Sequence, residues 1–168
     1  MRVFTDSDIR SLLDPAEVVE AIEAAFARDY RSTVVMPVRT RVDLTGGALL
    51  VMPCYDSAVP GLGTKLVTSF ENVAERVQAS YVLLDPVSGK LRALMAANYL
   101  TDVRTAATSA VATRHMARRD AKVLGVFGTG RQARSHIEVM TAVWQFERVL
   151  VCGSSSNRRS HVKSPSVL

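Results

Sequence analysis

The spacing of apolar residues near the amino terminus predicts two helices. Thr5 begins a polar segment that can cap a short helix ending near Leu13. Asp14, Pro15 and Glu17 have the pattern of a second helix start, with a capping side chain, a proline at the first helical position and the acid of a capping box. The residues that follow recur at the spacing of one helix face: Val18, Ile22, Ala25 and Phe26.

Shorter apolar runs from residue 34 onwards predict strands. The runs are 34–44, 48–52, 64–70, 80–84 and 91–95. Gly46 and Gly47 separate the first two runs, and a Pro-Val-Ser-Gly turn at 86–89 separates the last two. Residues 1–118 are therefore predicted to form an α+β domain with an antiparallel meander.

The pattern changes at Thr101, which is the predicted N-cap of an alanine-rich helix. A short apolar strand at 122–127 follows, then a glycine turn, a helix ending near Trp144 and a strand at 148–152. This succession is the opening unit of a doubly wound parallel sheet. Residues 119–153 therefore predict the start of a Rossmann domain, and the chain as a whole predicts an α/β fold.

The glycine turn reads Gly128-Thr129-Gly130-Arg131-Gln132-Ala133, which fits the dinucleotide pattern G-x-G-x-x-G/A. The first glycine permits the tight turn, the second lets the backbone approach a pyrophosphate, and the small third residue lets helix and strand pack closely. The helix N-terminus offers unpaired N–H groups to the phosphates. Ser154 after the second strand is neither an acid nor an arginine, so the pattern leaves both NAD and NADP open.

Composition adds that the chain is globular and that its charge is concentrated at one end. Of 168 residues, 48 % are hydrophobic and 22 % are charged, and the net charge is +5. Residues 154–168 contain Arg158, Arg159 and Lys163, many serines and no acid. We expect this segment to be disordered. The nearly balanced remainder gives no basic face for nucleic acid.

The rest of the composition favours a reduced, cytoplasmic protein. No apolar run reaches the ~18 residues of a membrane span, and the sequence after Met1 turns polar too early for a secretory leader. Cys54 and Cys152 are too few for a disulfide framework, and no group of ligating residues has metal-site spacing. We expect no membrane segment and no metal.

Several basic residues stand in apolar surroundings. With Thr101 as N-cap, Arg104 is the third helical residue, where a cation opposes the helix dipole unless an anion binds there. The alternative is a solvated side chain. Lys65 interrupts a predicted strand, either as an edge-strand lysine that discourages aggregation or as an anchor for an acidic ligand. Arg39 and Arg41 share a strand face by their spacing. Either that face is solvated, or Arg39 joins Lys65 and Arg104 around a carboxylate.

Five sequence segments, taken together, form a recognisable set. They are Met36-Pro37-Val38-Arg39-Thr40, Val51-Met52-Pro53-Cys54-Tyr55, Thr64-Lys65-Leu66-Val67-Thr68, Leu100-Thr101-Asp102-Val103-Arg104-Thr105-Ala106-Ala107 and the glycine turn. In this order, over residues 1 to about 153, the chain resembles the ornithine cyclodeaminase/μ-crystallin family. The resemblance implies an NAD(P)-dependent enzyme acting on a small α-amino or α-imino acid. Its branches remain open: ornithine cyclodeaminases, ketimine reductases such as pyrroline-2-carboxylate reductase, alanine dehydrogenases and opine-type enzymes.

The resemblance also implies site residues. Arg39, Lys65 and Arg104 would hold the substrate carboxylate, and three cations around one carboxylate would fix Cα opposite the nicotinamide. Val77 stands where relatives often have a histidine near the substrate. A homodimer formed through the N-terminal domain is implied as well. Cofactor contacts would come from Ser80, Arg104, Gly128, Gly130, Arg131, Gln132, Ala133 and Ser154.

Members of this family are about twice as long as the chain. The part without a counterpart would include the remaining Rossmann strands and the loop with the catalytic Asp of the cyclodeaminases, so the catalytic residue is unknown here. We therefore expect a C-terminally truncated member with an aberrant or disordered tail at 154–168 and impaired activity. The alternative is a non-enzymatic NADP-binding protein that dimerises, as the crystallin branch of the family suggests.

Overall fold

The structure is a computed structural model that describes residues 1–153 and the backbone of residues 161–162. Its helices are α1 (Asp6–Leu12), α2 (Pro15–Ala27), α3 (Tyr30–Thr33), α4 (Asn98–Met116) and α5 (Arg131–Val143). Its strands are β1 (Arg2–Phe4), β2 (Val34–Val35), β3 (Thr40–Leu44), β4 (Gly47–Asp56), β5 (Gly61–Phe70), β6 (Val77–Leu84), β7 (Leu91–Ala96), β8 (Val123–Phe127), β9 (Arg148–Cys152) and β10 (His161–Val162). The predicted α/β class is confirmed.

The chain forms two compact units. The first contains Met1–Leu12 and Phe26–Thr101, and the second contains Leu13–Ala25 and the chain from Asp102 onwards. This division differs from the predicted boundary between residues 118 and 119, because most of α2 and most of α4 belong to the second unit.

The first unit is built on a seven-stranded sheet. Its order is β1-β7-β6-β5-β4-β2, and β3 also pairs with β4. Strands β4 to β7 pair antiparallel with their neighbours in sequence, which confirms the predicted meander. The edge strand β1 runs parallel to β7, which the apolar pattern did not predict. A turn that contains Gly89 at a φ of 69° joins β6 to β7, as the sequence predicts.

One face of this sheet carries the core of the first unit. Val67 of β5 and Ala79 of β6 lie opposite each other and are buried, together with Ala97 just before α4. Leu100 and Tyr81 pack against this cluster. Because side chains alternate along a strand, every second residue of β5 belongs to this core face.

The predicted strand at 34–44 is interrupted, so this prediction is wrong in its middle. β2 and β3 both pair with β4, but residues 36–39 lie between them outside the ladder. Pro37 and Pro53 are both in this region, and neither has an N–H group to donate to a ladder. Arg39 therefore lies before β3 and does not share a strand face with Arg41.

The start of α4 also differs from the prediction. The helix begins at Asn98, and the Thr101 N–H already donates to the Ala97 carbonyl at 2.9 Å. The Asn98 side chain fixes this start, because its Oδ1 accepts the Ala79 N–H at 2.7 Å. Arg104 is consequently well inside the helix, so the predicted position in the first turn, where its charge would oppose the helix dipole, is wrong.

The predicted βαβ unit forms the centre of the second unit. β8 and β9 are parallel neighbours, and α5 connects them. Val19 of α2, Val103 of α4, Val139 of α5 and Val149 of β9 are fully buried. These residues give the second unit a core of its own.

One face of the β8–β9 sheet is left uncovered. Phe127 is 91 % exposed, and Val123 and Leu150 are exposed as well. Parallel sheets of this type normally have helices on both faces. The described residues therefore supply a cover for one face only.

The C-terminal tail is described at two residues. His161 and Val162 pair antiparallel with Leu150 and Val149 of β9. The prediction that residues 154–168 lack structure is therefore wrong at these two positions. At the other tail positions it lies outside the described residues.

Candidate functional site

The glycine turn begins where β8 ends. Gly128 follows Phe127 directly, and its N–H donates to the Cys152 carbonyl of β9 at 2.7 Å. Its φ of 112° lies in a region that side-chain-bearing residues rarely adopt. The turn therefore requires glycine at this position, as the dinucleotide pattern does.

Gly130 and the residues after it form the start of α5. Gly130 is the N-cap, with no side chain to cap the helix, and the first helical hydrogen bond runs from the Arg134 N–H to the Gly130 carbonyl at 3.3 Å. A Cβ atom added at Gly128 or Gly130 would meet no other atom within 4 Å. An open space thus adjoins a helix N-terminus whose first N–H groups have no intrahelical partner, which suits a phosphate group.

A buried carboxylate lies against the same turn. Asp102 of α4 is only 4 % exposed. Its Oδ2 accepts a hydrogen bond from Nε of Arg131 at 2.8 Å, and its Oδ1 accepts one from Nε2 of Gln132 at 2.5 Å. We call these two contacts the Asp102 bridge. The sequence predicted Asp102 at the start of a helix but did not predict its contacts with Arg131 and Gln132.

A cleft of about 350 Å³ lies beside the turn, between α4, β8 and α5. His136 lines it, and its Nδ1 donates to the Gln132 carbonyl at 2.7 Å, since a carbonyl can only accept. Its Nε2 is hydrogen-bonded to the Ser109 hydroxyl at 3.0 Å. His136 thus ties the first turn of α5 to α4.

Lys65 stands on an interior strand of the first sheet. β5 lies between β4 and β6, so the edge-strand alternative for Lys65 is excluded. Lys65 lies opposite Met52 and Tyr81, on the same face as buried Val67. Burial raises the pKa of the neighbouring Tyr81 hydroxyl, and Cys54 raises it further. A half-buried lysine on the core face of a central strand is unusual, and it suits the binding of an anion.

The other predicted site residues are less enclosed. Arg39 is exposed in the first unit, and Arg104 is exposed on α4 in the second. Ser80 is exposed and lies next to Tyr81 on β6, so it is on the opposite sheet face from Lys65. The sheet therefore does not bring Ser80 and Lys65 together. Ser154 lies outside the described residues.

Cys54 and the acidic residues are further candidates for reactive or metal-binding groups within the part of the chain that the structure describes. Burial raises the pKa of the Cys54 thiol, and the nearby Asp56 adds to the shift, so the thiol stays protonated at neutral pH. Among the residues that the structure describes, no three His, Cys, Asp or Glu side chains are grouped as metal ligands. None of the described helices is long and apolar enough to cross a membrane.

A family comparison agrees with the glycine turn and the sheet topology. The sequence profile of the ornithine cyclodeaminase/mu-crystallin family matches residues 1–164. The chain belongs to this family. The resemblance inferred from the five segments is thereby confirmed.

Three relatives show how much of the family fold is present. Ketimine reductase mu-crystallin of Rattus norvegicus is 42 % identical over 145 residues, which cover 83 % of this chain and 46 % of the relative. Δ1-Pyrroline-2-carboxylate reductase of Thermococcus litoralis, solved with NADH and L-proline, has a TM-score of 0.87 at 33 % identity, covering 94 % of this chain and 50 % of that one. An archaeal alanine dehydrogenase dimer with bound NAD has a TM-score of 0.86 at 27 % identity and the same coverage.

The likeness to these relatives confirms the predicted fold class, an α/β fold with Rossmann-type elements. The chain spans about half the length of the relatives it matches.

Proposed function

We propose that this family member acts with NAD or NADP on the Cα–N bond of a small amino or imino acid, as an imine reductase or the corresponding dehydrogenase. The observation that carries the proposal is the glycine turn. Gly128 has a φ that only glycine readily adopts, and open space adjoins the N-terminus of α5. The relatives solved with NADH and with NAD support the cofactor.

The backbone and the glycines of the turn would contribute to cofactor binding in different ways. Backbone N–H groups at the start of α5 would bind the pyrophosphate, and Gly128 and Gly130 leave room for it. When bound, the nicotinamide supplies the hydride chemistry, which no side chain can perform. Gly128, Gly130, Arg131, Gln132 and Ala133 are therefore the proposed cofactor residues. Ser80, Arg104 and Ser154 rest on the family resemblance alone.

The substrate's carboxylate would be held by cations. Lys65 is the strongest candidate, because its strand position places a charged group on a core face. Arg39 and Arg104 remain the two further cations that the family pattern predicts. Binding the carboxylate fixes the orientation of Cα, and orientation is a large part of catalysis when the reacting group is a bound cofactor.

Lys65→Gln tests the carboxylate assignment. In the NADH-saturated chain, we expect pyrroline-2-carboxylate or L-proline to change the NADH fluorescence. K65Q should raise the Kd for the amino or imino acid at least about tenfold, because a charge-assisted hydrogen bond is lost. The Kd for NADH should stay unchanged. Lys90→Gln, at an exposed residue before β7, is the matched control. An unchanged imino-acid affinity in K65Q would remove Lys65 from the site.

We also propose that the 168 residues alone turn substrate over slowly. The uncovered face of the β8–β9 sheet supports this, because a site built on an incompletely packed sheet is poorly ordered. The assay is consumption of NADH or NADPH with pyrroline-2-carboxylate. Binding with slow turnover supports an impaired enzyme. Cofactor binding with no turnover favours the alternative of a dimerising binding protein, and rapid turnover contradicts the impairment.

A homodimer is the proposed assembly, supported by the alanine dehydrogenase relative, which is a dimer. Sedimentation over a range of concentrations tests it. A monomer at the highest concentration would contradict the proposal.

A further inference from the structure

The Asp102 bridge joins a nearly buried carboxylate to the first two residues of α5. Asp102 lies on α4 next to fully buried Val103, where an apolar side chain would be expected. Placing a carboxylate in such a position is unfavourable unless its oxygens are paired. Here each oxygen accepts a hydrogen bond, one from Arg131 and one from Gln132.

The two donors are neighbours at the start of a helix. Successive helical residues point in directions about 100° apart, so both side chains must turn toward one carboxylate to make these contacts. The bridge therefore restricts both side chains and, through them, the first turn of α5. A carboxylate near a helix N-terminus is also stabilised by the helix dipole.

The same turn contains the backbone N–H groups assigned above to the pyrophosphate. Arg131 is 43 % exposed at its side chain while its Nε is held by Asp102. The contact through Nε fixes the plane of the guanidinium, and a planar, fixed guanidinium is suited to an anion. Asp102 itself, being buried, is poorly placed to touch a ligand.

We propose that Asp102 is a positioning residue of the dinucleotide site, which orders the phosphate-binding turn through Arg131 and Gln132. This inference rests on the proposed function and adds to it a residue that the glycine pattern does not contain. The alternative is that the bridge only ties α4 to α5 and has no effect on the ligand.

A double-mutant cycle on NADH affinity separates the two. Asp102→Asn keeps the shape of the side chain and an acceptor for Gln132 but removes the charge. We expect D102N and R131A each to raise the Kd for NADH about tenfold, the loss typical of one hydrogen bond to a charged group. The double variant should be no weaker than the weaker single one, because Asp102 acts through Arg131. The Kd for ADP-ribose, which lacks the nicotinamide, should rise by the same factor.

A second variant and a matched control complete the test. Asp102→Glu keeps the charge but moves the carboxylate by one methylene, so it should also weaken NADH binding, and it replaces D102N if that variant does not fold. Glu23→Gln breaks a different ion pair of the second unit. It should lower the thermal midpoint without changing the Kd for NADH.

The outcomes are distinct. An unchanged Kd in folded D102N and D102E, with only the thermal midpoint lowered, would show that the bridge is purely structural and overturn the inference. Independent, additive losses in the double variant would overturn it as well. If the unmutated chain does not bind NADH, the proposed function fails and the inference fails with it.

Discussion

Gly128 combines two requirements in one residue. Its φ of 112° excludes most side chains, and the space beside it is open. Gly130 has an ordinary φ of −79° and shares only the open space. Comparing the two glycines therefore distinguishes the effect of backbone strain, which only Gly128 would show, from the effect of filling the open space, which both would show.

The pair Gly128→Ala and Gly130→Ala makes this measurable. G128A should lower the free energy of unfolding by about 1–3 kcal/mol, the cost of a strained backbone conformation. G130A should leave stability nearly unchanged. Both should weaken NADH binding, because a methyl group enters the space that a phosphate would occupy. Chemical unfolding followed by Trp144 fluorescence, with NADH titration of the folded variants, gives both quantities. Equal stability of the two variants would contradict the conformational argument.

At the scale of residues, the sequence predicts candidate site residues when the supporting pattern is local. The glycine turn and Lys65 could be identified because the residues next to them indicate a strand followed by a helix in one case and an apolar strand in the other. Asp102 could not be assigned, because its partners Arg131 and Gln132 are about thirty residues away and meet it only when α4 packs on α5. The one local signal was an acid between apolar helix residues.

At the scale of elements, two capped helices show how local chemistry sets the boundaries. Thr5 and Asp8 cap α1 reciprocally: the Thr5 N–H donates to Asp8 at 2.8 Å, and the Asp8 N–H donates to the Thr5 hydroxyl at 3.2 Å. Asp14 accepts the Ala16 N–H at 2.7 Å, as its predicted capping role requires. These ends were predictable because the partners lie within three residues.

The boundaries that the sequence did not predict depend on distant partners. α4 starts at Asn98 because Asn98 binds the backbone of Ala79 on β6. The strand at 34–44 is interrupted at residues 36–39, which include Pro37 and pair with no residue of β4. Both effects need the sheet to be in place before the local pattern can be interpreted.

The tie between α2 and α4 gives an acid-dependent contribution to stability. Glu23 of α2 accepts hydrogen bonds from His115, at 2.6 Å, and from Arg114. The bond with His115 is the main reason that the pKa of Glu23 lies below its ordinary value of 4.5, and Arg114 lowers it further. Because the folded pKa is lowered, the stabilisation is complete above 4.5 and is lost as the pH falls through the folded value.

The Glu23→Gln variant should therefore have a lower free energy of unfolding than the unmutated chain at neutral pH. This difference should become smaller when the pH is well below the ordinary pKa of a glutamate. Trp144, the single tryptophan, lies in the second unit and reports its unfolding. Glu147→Gln, the same substitution at an exposed residue before β9, is the matched control. A stability difference that is constant with pH would exclude an ionic origin.

At the scale of the whole molecule, the described residues form two sheets that differ in how well their faces are covered. The seven-stranded sheet has a buried core face, whereas the β8–β9 sheet exposes Phe127 on one side. The antiparallel meander of β4 to β7 and the parallel pair β8–β9 were predictable from apolar patterns and turns, whereas the edge strand β1 was not. The division into two units was not, because it depends on where α2 and α4 pack.

The glycine turn of this chain is proposed to bind a dinucleotide within these 168 residues. Titration of the purified full chain with NADH, followed by nucleotide fluorescence, tests it most directly. We expect saturable binding at one site per chain, displaced by ADP-ribose and weakened in G130A. A fluorescence signal that rises linearly without saturation, or that G130A leaves unchanged, would contradict it.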